Sequence, residues 1–315
     1  MQAFVLGRLG QTALVLAVVS LVVFALQAIA PIDPARKALT VGGSTEIPDE
    51  RDVQAKRTEL GLDKPLAERY LRWLGDVATA DLGHSFVNRR PVSQLIRERI
   101  TASATLALLT VVLSTAIALP LGVVAASRAG TWADSLIRAL SLIGASLPAF
   151  WLALLAIWLF SVELQLLPAL GSFTPRGIVL PVMVLTARSV GLLARLMRAT
   201  MLDALNQGYV QTALSKGLPA GTVVRRHVVP NAVTPVLAVI GLDFAALFGE
   251  AAVIEWVFAW PGIGRMGVEA ALAGDVPVVM GFVLIVSAVF ILANLMVDVA
   301  SGFVDPRQRE EGAAG

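Results

Sequence analysis

Cysteine is absent from this sequence of 315 residues, and histidine occurs only twice. The absence of cysteine excludes disulfides, thiolate metal sites and cysteine nucleophiles. His84 and His227 lie far apart in the chain, which argues against a metal site built mainly on imidazole. We therefore expect no metal site in this chain.

Charged residues are also scarce in the sequence. They make up 15% of it, against about 25% in an ordinary soluble protein, whereas hydrophobic residues make up 57%. The mean hydropathy is +0.76, and this composition excludes a water-soluble globule. The formal net charge of +2 is too small to indicate a surface that binds nucleic acid.

Several motifs of catalytic and nucleotide-binding proteins are missing. The sequence contains no Gly-x-x-x-x-Gly-Lys-Ser/Thr, so it has no phosphate-binding loop, and any ATP with its Mg²⁺ must be bound by another subunit. It also contains no His-Glu-x-x-His, no Gly-x-Ser-x-Gly and no EF-hand loop. We therefore expect a non-catalytic protein without a cofactor of its own.

Long apolar segments dominate what is present. A helix that crosses a bilayer needs about 20 apolar residues. Four windows of this length contain no charged residue, namely residues 9–30, 100–127, 139–162 and 276–297. Two further windows, residues 178–198 and 232–254, are interrupted by charged residues. The sequence thus predicts an all-α membrane protein with six transmembrane helices.

Basic residues are distributed unequally among the loops. If the N-terminus is cytoplasmic, ten of the 25 Lys and Arg residues lie inside, and the two short outer loops hold only Arg176 and Arg265. The ten inner residues are Arg8, Arg128, Arg138, Arg195, Arg198, Lys216, Arg225, Arg226, Arg307 and Arg309. The large region 31–94 would be extracytoplasmic, and it is too long for the charge bias to apply. This distribution predicts that both termini are cytoplasmic.

The extracytoplasmic region has the pattern of short helices. Residues 49–60 followed by Gly61 predict a helix with a glycine stop, and Pro65 begins a second helix. Residues 92–100 predict a third helix that runs into the second span. The region is either a small cap packed on the outer face of the bundle or a docking surface for a soluble partner.

Residues 203–231, between the fourth and fifth windows, form the most informative polar segment. They predict two short amphipathic helices around the turn Gly217-Leu218-Pro219, because glycine permits a positive φ and proline begins the next segment. Such an element is too polar to enter the membrane and would lie along its inner surface.

Arg188, Asp243 and Glu250 fall well inside the predicted spans, where a charge costs roughly 2.5 to 3.5 kcal/mol at a helix centre. Arg188 and Asp243 reach similar depths if their helices run in opposite directions, and Glu250 lies on the same helix face as Asp243. We hypothesise that Arg188 and Asp243 meet near the midplane. They would form either a structural pair or part of the lining of a substrate path.

Short segments in the same order along nearly the whole chain resemble the permease subunits of oligopeptide, dipeptide and nickel ABC importers. They are residues 61–66 with 69–70, 81–85, 146–151, 166–168, 209–217, 257–265, 277–279, 294–295 with Asp298, and 305–307, together with His227 and Asn231. The resemblance implies a type I permease domain at residues 95–305. Residues 1–30 would be the first transmembrane helix, residues 31–94 the extracytoplasmic helical region and residues 306–315 a cytoplasmic tail.

The resemblance also implies a role for the loop 203–231. In that family a loop with the pattern Glu-Ala-Ala, three residues and Gly forms a coupling helix, which sits in a groove of the cytoplasmic ATPase. The corresponding positions here are Gln211-Thr212-Ala213 and Gly217. The candidate coupling residues are Gln211, Thr212, Ala213, Lys216, Gly217, Leu218, His227, Pro230 and Asn231.

The turn after the fifth span is rich in proline, glycine and aromatic residues. Its aromatic residues could form a belt at the outer membrane interface. The resemblance suggests instead an external gate, for which the candidates are Phe258, Trp260, Pro261 and Gly262.

The partners implied by the resemblance are a second, similar permease chain, two cytoplasmic ATP-binding subunits and an extracytoplasmic substrate-binding protein. The chain would lie in the bacterial cytoplasmic membrane and form half of a pathway for short peptides or nickel, usually as a chelate. The alternative function is an ion-gradient-driven carrier that uses Arg188, Asp243 and Glu250 as a relay. Such carriers often show repeated halves, and the sequence shows no internal repeat.

Overall fold

The computed structural model describes residues 2–29, 33–40 and 48–304, and this part of the chain is helical. Its β-structure, over the same residues, amounts to one isolated bridge between His84 and Pro91. The helices are α1 (Gln2–Ile29), α2 (Pro34–Leu39), α3 (Glu50–Glu59), α4 (Leu66–Ala78), α5 (Val92–Ser127), α6 (Trp132–Ser146), α7 (Ala149–Ala156), α8 (Val179–Leu205), α9 (Gly208–Ser215), α10 (Ala220–Val223), α11 (Val229–Val257), α12 (Ile263–Ala273) and α13 (Val276–Val304). Two π-helical segments, Ile157–Glu163 and Val224–Val228, continue α7 and α10.

Five helical segments in the described residues are long and apolar enough to cross a membrane. They are Gly7–Gln27, Val92–Ser127, Val179–Leu205, Ala220–Val257 and Val276–Val297. A sixth crossing requires that Trp132–Ser146 and Ala149–Glu163 act together, and these two segments are bent by 103° relative to each other. The described chain therefore contains five candidate spans, or six if the bent pair is one span.

The span predicted at residues 139–162 is not one straight helix, and its place among the crossings stays a prediction. Leu147 and Pro148 both adopt extended backbone, with ψ of 135° and 132°, so the helix ends at Ser146 and a new one begins at Ala149. Proline has no N–H to donate, and its ring disfavours helical backbone at the preceding residue. These two effects produce the sharp bend inside an otherwise uniformly apolar window.

The centre of the bundle is α8, which packs against α5, α6 and α11. Small residues allow these close approaches. A Cβ at Gly122 of α5 would collide with Met197 of α8, and a Cβ at Gly191 of α8 would collide with the backbone of Ser141 in α6. Small residues at helix contacts are typical of membrane bundles, in which close backbone packing replaces the hydrophobic effect.

The predicted short helices of the region before α5 are present. Asp49 caps α3 through its side chain, Gly61 follows α3 with φ of +65°, and Pro65 precedes α4. α4 packs on the second half of α1, where the Tyr70 hydroxyl lies 2.9 Å from Ser20 Oγ. This contact matches the interpretation of the region as a cap packed on the bundle.

Candidate functional site

The loop between α8 and α11 consists of the two short helices that the sequence predicts. α9 ends in a turn at Gly217, which has φ of +81°, and Pro219 then precedes α10. Gly217 lies in the left-handed region, and a Cβ at this position would meet no atom within 4 Å. The backbone conformation rather than packing therefore favours glycine here.

The two faces of this loop differ sharply in burial. Val210, Ala213, Val223 and Val228 are buried in one apolar cluster with residues of α5 and α8, including Met201. This cluster fixes the loop to one end of the bundle.

The opposite face of the loop is exposed. The exposed candidate residues are Gln211, Thr212, Lys216, Gly217, Leu218, Pro230 and Asn231, whereas His227 is half-buried and Ala213 is buried. The Asn231 side-chain amide donates to the His227 carbonyl at 2.6 Å, which ties the start of α11 to the preceding turn. The loop thus presents a mainly polar surface on an apolar base.

A buried ion pair lies near the end of α8 that carries this loop. The local sequence gives no sign of it. Arg198, near the end of α8, donates from Nε to Asp134 Oδ1 at 2.6 Å and from Nη2 to Oδ2 at 2.8 Å. Asp134, in the first turn of α6, is 1% exposed and also accepts from the Gly130 backbone N–H at 3.1 Å. The bidentate geometry joins α6 to α8 near the end that carries the loop.

The three charged residues of the predicted spans lie together between α8 and α11. Arg188 Nη1 is 3.7 Å from Asp243 Oδ1, and the same nitrogen forms an ion pair with Glu250. The Asp243 side chain is 2% exposed, whereas those of Arg188 and Glu250 are 33% and 38% exposed. One arginine therefore serves a buried and an accessible carboxylate, and the role of this cluster stays a prediction.

The turn after α11 is held inside the protein. Phe258 and Trp260 are fully buried, and Trp260 Nε1 donates to the Ala102 carbonyl of α5 at 3.1 Å. The interpretation of these aromatics as a lipid-facing belt is therefore wrong, because both rings pack within the core of the bundle. Pro261 is exposed and Gly262 is buried, and the gating role predicted for these residues stays a prediction.

Glu255 organises this turn, and the sequence does not single it out because it stands one residue beyond the predicted fifth span. It is 1% exposed and accepts from Ser103 Oγ at 2.5 Å and from the Arg265 backbone N–H at 3.0 Å. Ser103 Oγ in turn accepts from the Ile263 backbone N–H at 2.9 Å. Glu255 and Ser103 together satisfy N–H groups at the start of α12, which a local capping residue would otherwise bind.

A second buried carboxylate lies at the other end of α12. Asp275, which is 3% exposed, accepts from the Phe86 backbone N–H at 2.9 Å and contacts the Ser85 hydroxyl. It follows Gly274, whose φ of +67° ends the helix. α12 is therefore fixed to α5 at its start and to the segment before α5 at its end.

Two family profiles together match nearly the whole chain. Residues 118–310 match the binding-protein-dependent transport system inner membrane component, and residues 1–108 match the N-terminal part of the corresponding membrane component. The first match includes the loop, the charged cluster and the turn after α11.

Relatives of similar length show the same likeness. The chain is 39% identical over 318 residues to a protein of Brucella abortus strain 2308 that is named as a peptide transport system permease protein. The match covers 98% of this chain and 99% of that protein. It is 36% identical over 306 residues to the glutathione transport system permease protein of Escherichia coli K12, with 97% and 98% covered.

Solved structures resemble the chain in fold. The MetNI methionine ABC transporter in an inward-facing conformation matches with a TM-score of 0.57 at 19% identity, covering 67% of this chain and 97% of that one. An amino acid ABC transporter solved with histidines matches with a TM-score of 0.52 at 16% identity, covering 68% and 94%. The fold of the bundle is therefore that of a membrane subunit of these transporters.

Proposed function

This chain belongs to the family of binding-protein-dependent transport system inner membrane components, and from that membership we propose that it is a permease subunit of an ATP-driven importer of short peptides. It is a multi-pass protein of the inner membrane. Membership of this family favours the importer over the gradient-driven carrier that the charged cluster had left open.

The loop from α9 to the start of α11 is the observation that carries the proposal. A subunit without a phosphate-binding loop must receive the effect of ATP hydrolysis through a contact with another protein. The loop has what such a contact requires, namely a buried apolar base on α8 and an exposed polar face that includes Gln211 and Lys216. Movement of the loop would tilt α8 and α11, which it joins, and so change access to the pathway.

The proposed arrangement in the membrane follows from the charge distribution. The loop and both termini would be cytoplasmic, and residues 31–94 with the turn after α11 would lie outside. The partners would be a second permease chain, two cytoplasmic ATP-binding subunits and an extracytoplasmic substrate-binding protein. The permease would catalyse no bond change itself.

Short peptides are the cargo that the relatives favour. The two relatives described above are named for peptide and glutathione transport, and glutathione is itself a short peptide. Peptides carry a terminal ammonium and a terminal carboxylate, and the accessible Glu250 and Arg188 offer one charge of each sign. We therefore propose peptides rather than a nickel chelate, with these two side chains on the path.

The test is to co-express the chain with its chromosomal neighbours, purify it in detergent and measure co-purifying ATPase activity for the native chain and for Gly217→Asp. Aspartate at φ of +81° strains the turn and adds a charge to its exposed face. We expect ATPase to co-purify with the native chain and its recovery to fall at least about tenfold with Gly217→Asp, which corresponds to about 1.4 kcal/mol of binding free energy.

Gly83→Asp is the matched control. Gly83 has φ of +76° with no atom within 4 Å of an added Cβ, and it lies in the segment before α5, away from the loop. The control should retain its ATPase, because the strain and the charge are the same but the loop is intact. Absence of any nucleotide-binding partner from the native preparation would overturn the importer, and equal recovery with both variants would overturn only the coupling role of the loop.

A further inference from the structure

A cavity of about 700 Å³ lies between α1, α4, the segment before α5 and the start of α13. This volume is within the range of about 300 to 1,000 Å³ that is typical of ligand sites. The cavity is separate from the loop, the charged cluster and the turn after α11. It is also on the far side of the bundle from the loop. The loop precedes α11, whereas α13 begins only after α11 has crossed the bundle.

The region before α5 contributes many cationic groups to the lining of the cavity. Lys56, Lys64, Arg69, Arg72 and Arg89 line it, accompanied by His84 and by the carboxylates Asp76 and Asp81. Lys64 and Arg72 each form an ion pair with Glu68, and Lys56 forms one with Glu59.

Two of these cations have no carboxylate partner. Arg69 and Arg89 form no ion pair with any described residue. The Arg69 guanidinium instead lies 5.9 Å from the centre of the Phe24 ring, which holds it at the boundary between the charged and the apolar parts of the cavity. The cavity thus offers an anion two guanidinium groups that are not held in an ion pair, although the carboxylates of Asp76 and Asp81 also line it.

The spans α1 and α13 contribute apolar residues to the lining of the cavity. Phe24 of α1 and Met280 and Leu284 of α13 line it, together with Trp73 of α4. Leu284 follows Val276, the first residue of the last span, by eight positions, which places it about 12 Å along the helix at about 1.5 Å per residue. The cavity therefore changes from charged to apolar in the direction of the membrane interior.

The helix that forms one wall has the character of an interfacial helix. α4 buries none of its residues completely, and it exposes Leu66 and Leu71 by 57% and 66%. Leu26 of α1 is also exposed, by 65%. A helix with exposed leucines beside arginines is typical of segments that lie in the headgroup layer.

We propose that this cavity binds an anionic phospholipid, with the phosphate at Arg69 and Arg89 and the first part of an acyl chain against Phe24 and Leu284. Guanidinium groups bind phosphate through paired charge-assisted hydrogen bonds, and basic pockets beside transmembrane helices recognise lipid headgroups. A free phosphate ion would contact only the charged residues of the lining. The apolar residues from α1 and α13, which form the floor of the cavity, would then have no partner. The proposed membrane arrangement would place this lipid in the outer leaflet, but the proposal that the cavity binds it does not rest on that arrangement.

Native mass spectrometry of the co-expressed complex tests the proposal. The complex would be delipidated and then offered phosphatidylglycerol or phosphatidylcholine at equal concentration. We expect retention of phosphatidylglycerol on the native complex, and at least about a tenfold loss of retention in Arg69→Gln/Arg89→Gln. Arg51→Gln/Arg97→Gln is the matched control, because it removes the same charge from exposed arginines that do not line the cavity. This control should retain the lipid fully.

Leu284→Trp tests the apolar floor without a change in charge, and it should also reduce retention of phosphatidylglycerol. Equal retention of both lipids, or equal loss in the two double variants, would overturn the proposal. Displacement of phosphatidylglycerol by the same concentration of glycerol 3-phosphate would overturn it in favour of a soluble anion. Co-purifying ATPase is scored on the same samples, so a complex that keeps its ATPase but binds no lipid refutes only the lipid site.

Discussion

The two ends of α11 are built in opposite ways. At its end, the Glu255 carboxylate and the Ser103 hydroxyl bind backbone N–H groups of the following turn, and every contact is inside the protein. At its start, the loop rests on buried Val210 and Val228 and leaves its polar face exposed. One helix therefore joins a buried polar network, whose groups are hydrogen-bonded, to a polar surface that is exposed.

The difference indicates which end is prepared for a partner. Buried polar groups that are fully hydrogen-bonded hold one conformation, because any movement leaves a donor or acceptor unsatisfied. The apolar base holds the loop by packing alone, and its contacts are not directional. We infer that the turn after α11 acts as a fixed point and that the loop is the part displaced by the ATP-binding subunit.

The largest effect on stability is expected from Glu255→Ala. The change leaves the Arg265 N–H and the Ser103 hydroxyl without their acceptor in a buried site, and each unsatisfied group costs about 1 to 3 kcal/mol. Thermal unfolding of the purified complex in detergent should show a loss of about 3 kcal/mol or more in the free energy of unfolding.

Glu269→Ala is the matched control for this variant. Glu269 lies on the same helix α12, where it pairs with Arg265 at 2.6 Å, and its side chain is 44% exposed. Removal of such an exposed pair should cost less than about 1 kcal/mol. Equal destabilisation by the two variants would show that the buried network does not fix the turn.

How much of this fold the sequence predicts depends on whether the signal is local. Gly61, Pro65 and Gly217 each act on their own backbone, and the helices that they delimit are where the sequence places them. The break at Leu147-Pro148 also has a local cause, but a window chosen only for the absence of charge does not detect it. Hydropathy measures the environment of a segment, not its straightness.

The second-largest effect on stability is expected from the ion pair between Asp134 and Arg198. Asp134→Asn and Arg198→Gln should each destabilise the complex, and the double variant should cost less than the sum of the two, with a coupling of about 1.5 to 3 kcal/mol. Arg138→Gln removes an exposed cation one turn from Asp134 and should destabilise the complex much less than Arg198→Gln, because Arg138 attracts Asp134 without a hydrogen bond to it. Strict additivity of Asp134→Asn and Arg198→Gln would mean that α6 and α8 are held by apolar packing alone.

Substitutions in the cluster around Arg188 should separate effects on stability from effects on transport. Arg188→Ala leaves the buried Asp243 unpaired and should cost about 2 kcal/mol, whereas Glu250→Gln changes an accessible carboxylate and should cost less than about 1 kcal/mol. If the cluster lines the path, Glu250→Gln should still reduce peptide uptake by reconstituted vesicles. Full uptake in Arg188→Ala, Asp243→Ala and Glu250→Gln at normal protein level would refute a role on the path.

The site residues fall into two groups of predictability. Arg188, Asp243 and Glu250 stand out because a charge inside an apolar window is costly, so the sequence alone identifies them. Glu255 and Asp134 do not stand out, because each lies at a span boundary, where carboxylates are common. Their partners Ser103 and Arg198 are distant in sequence, and only the packing of α5 and α8 brings these groups together.

The smallest effect on stability is expected at the exposed face of the loop. Gln211→Ala removes a side chain that is exposed, so the free energy of unfolding should change by less than about 0.5 kcal/mol. Ala213→Asp, two residues further along, places a charge in the buried base of the same helix and should destabilise it. If the exposed face is the contact, Gln211→Ala should lower peptide-stimulated ATPase activity while the unfolding temperature stays constant. Unchanged ATPase activity with Gln211→Ala would move the contact to another part of the loop, and a lowered unfolding temperature would show that this face is not free.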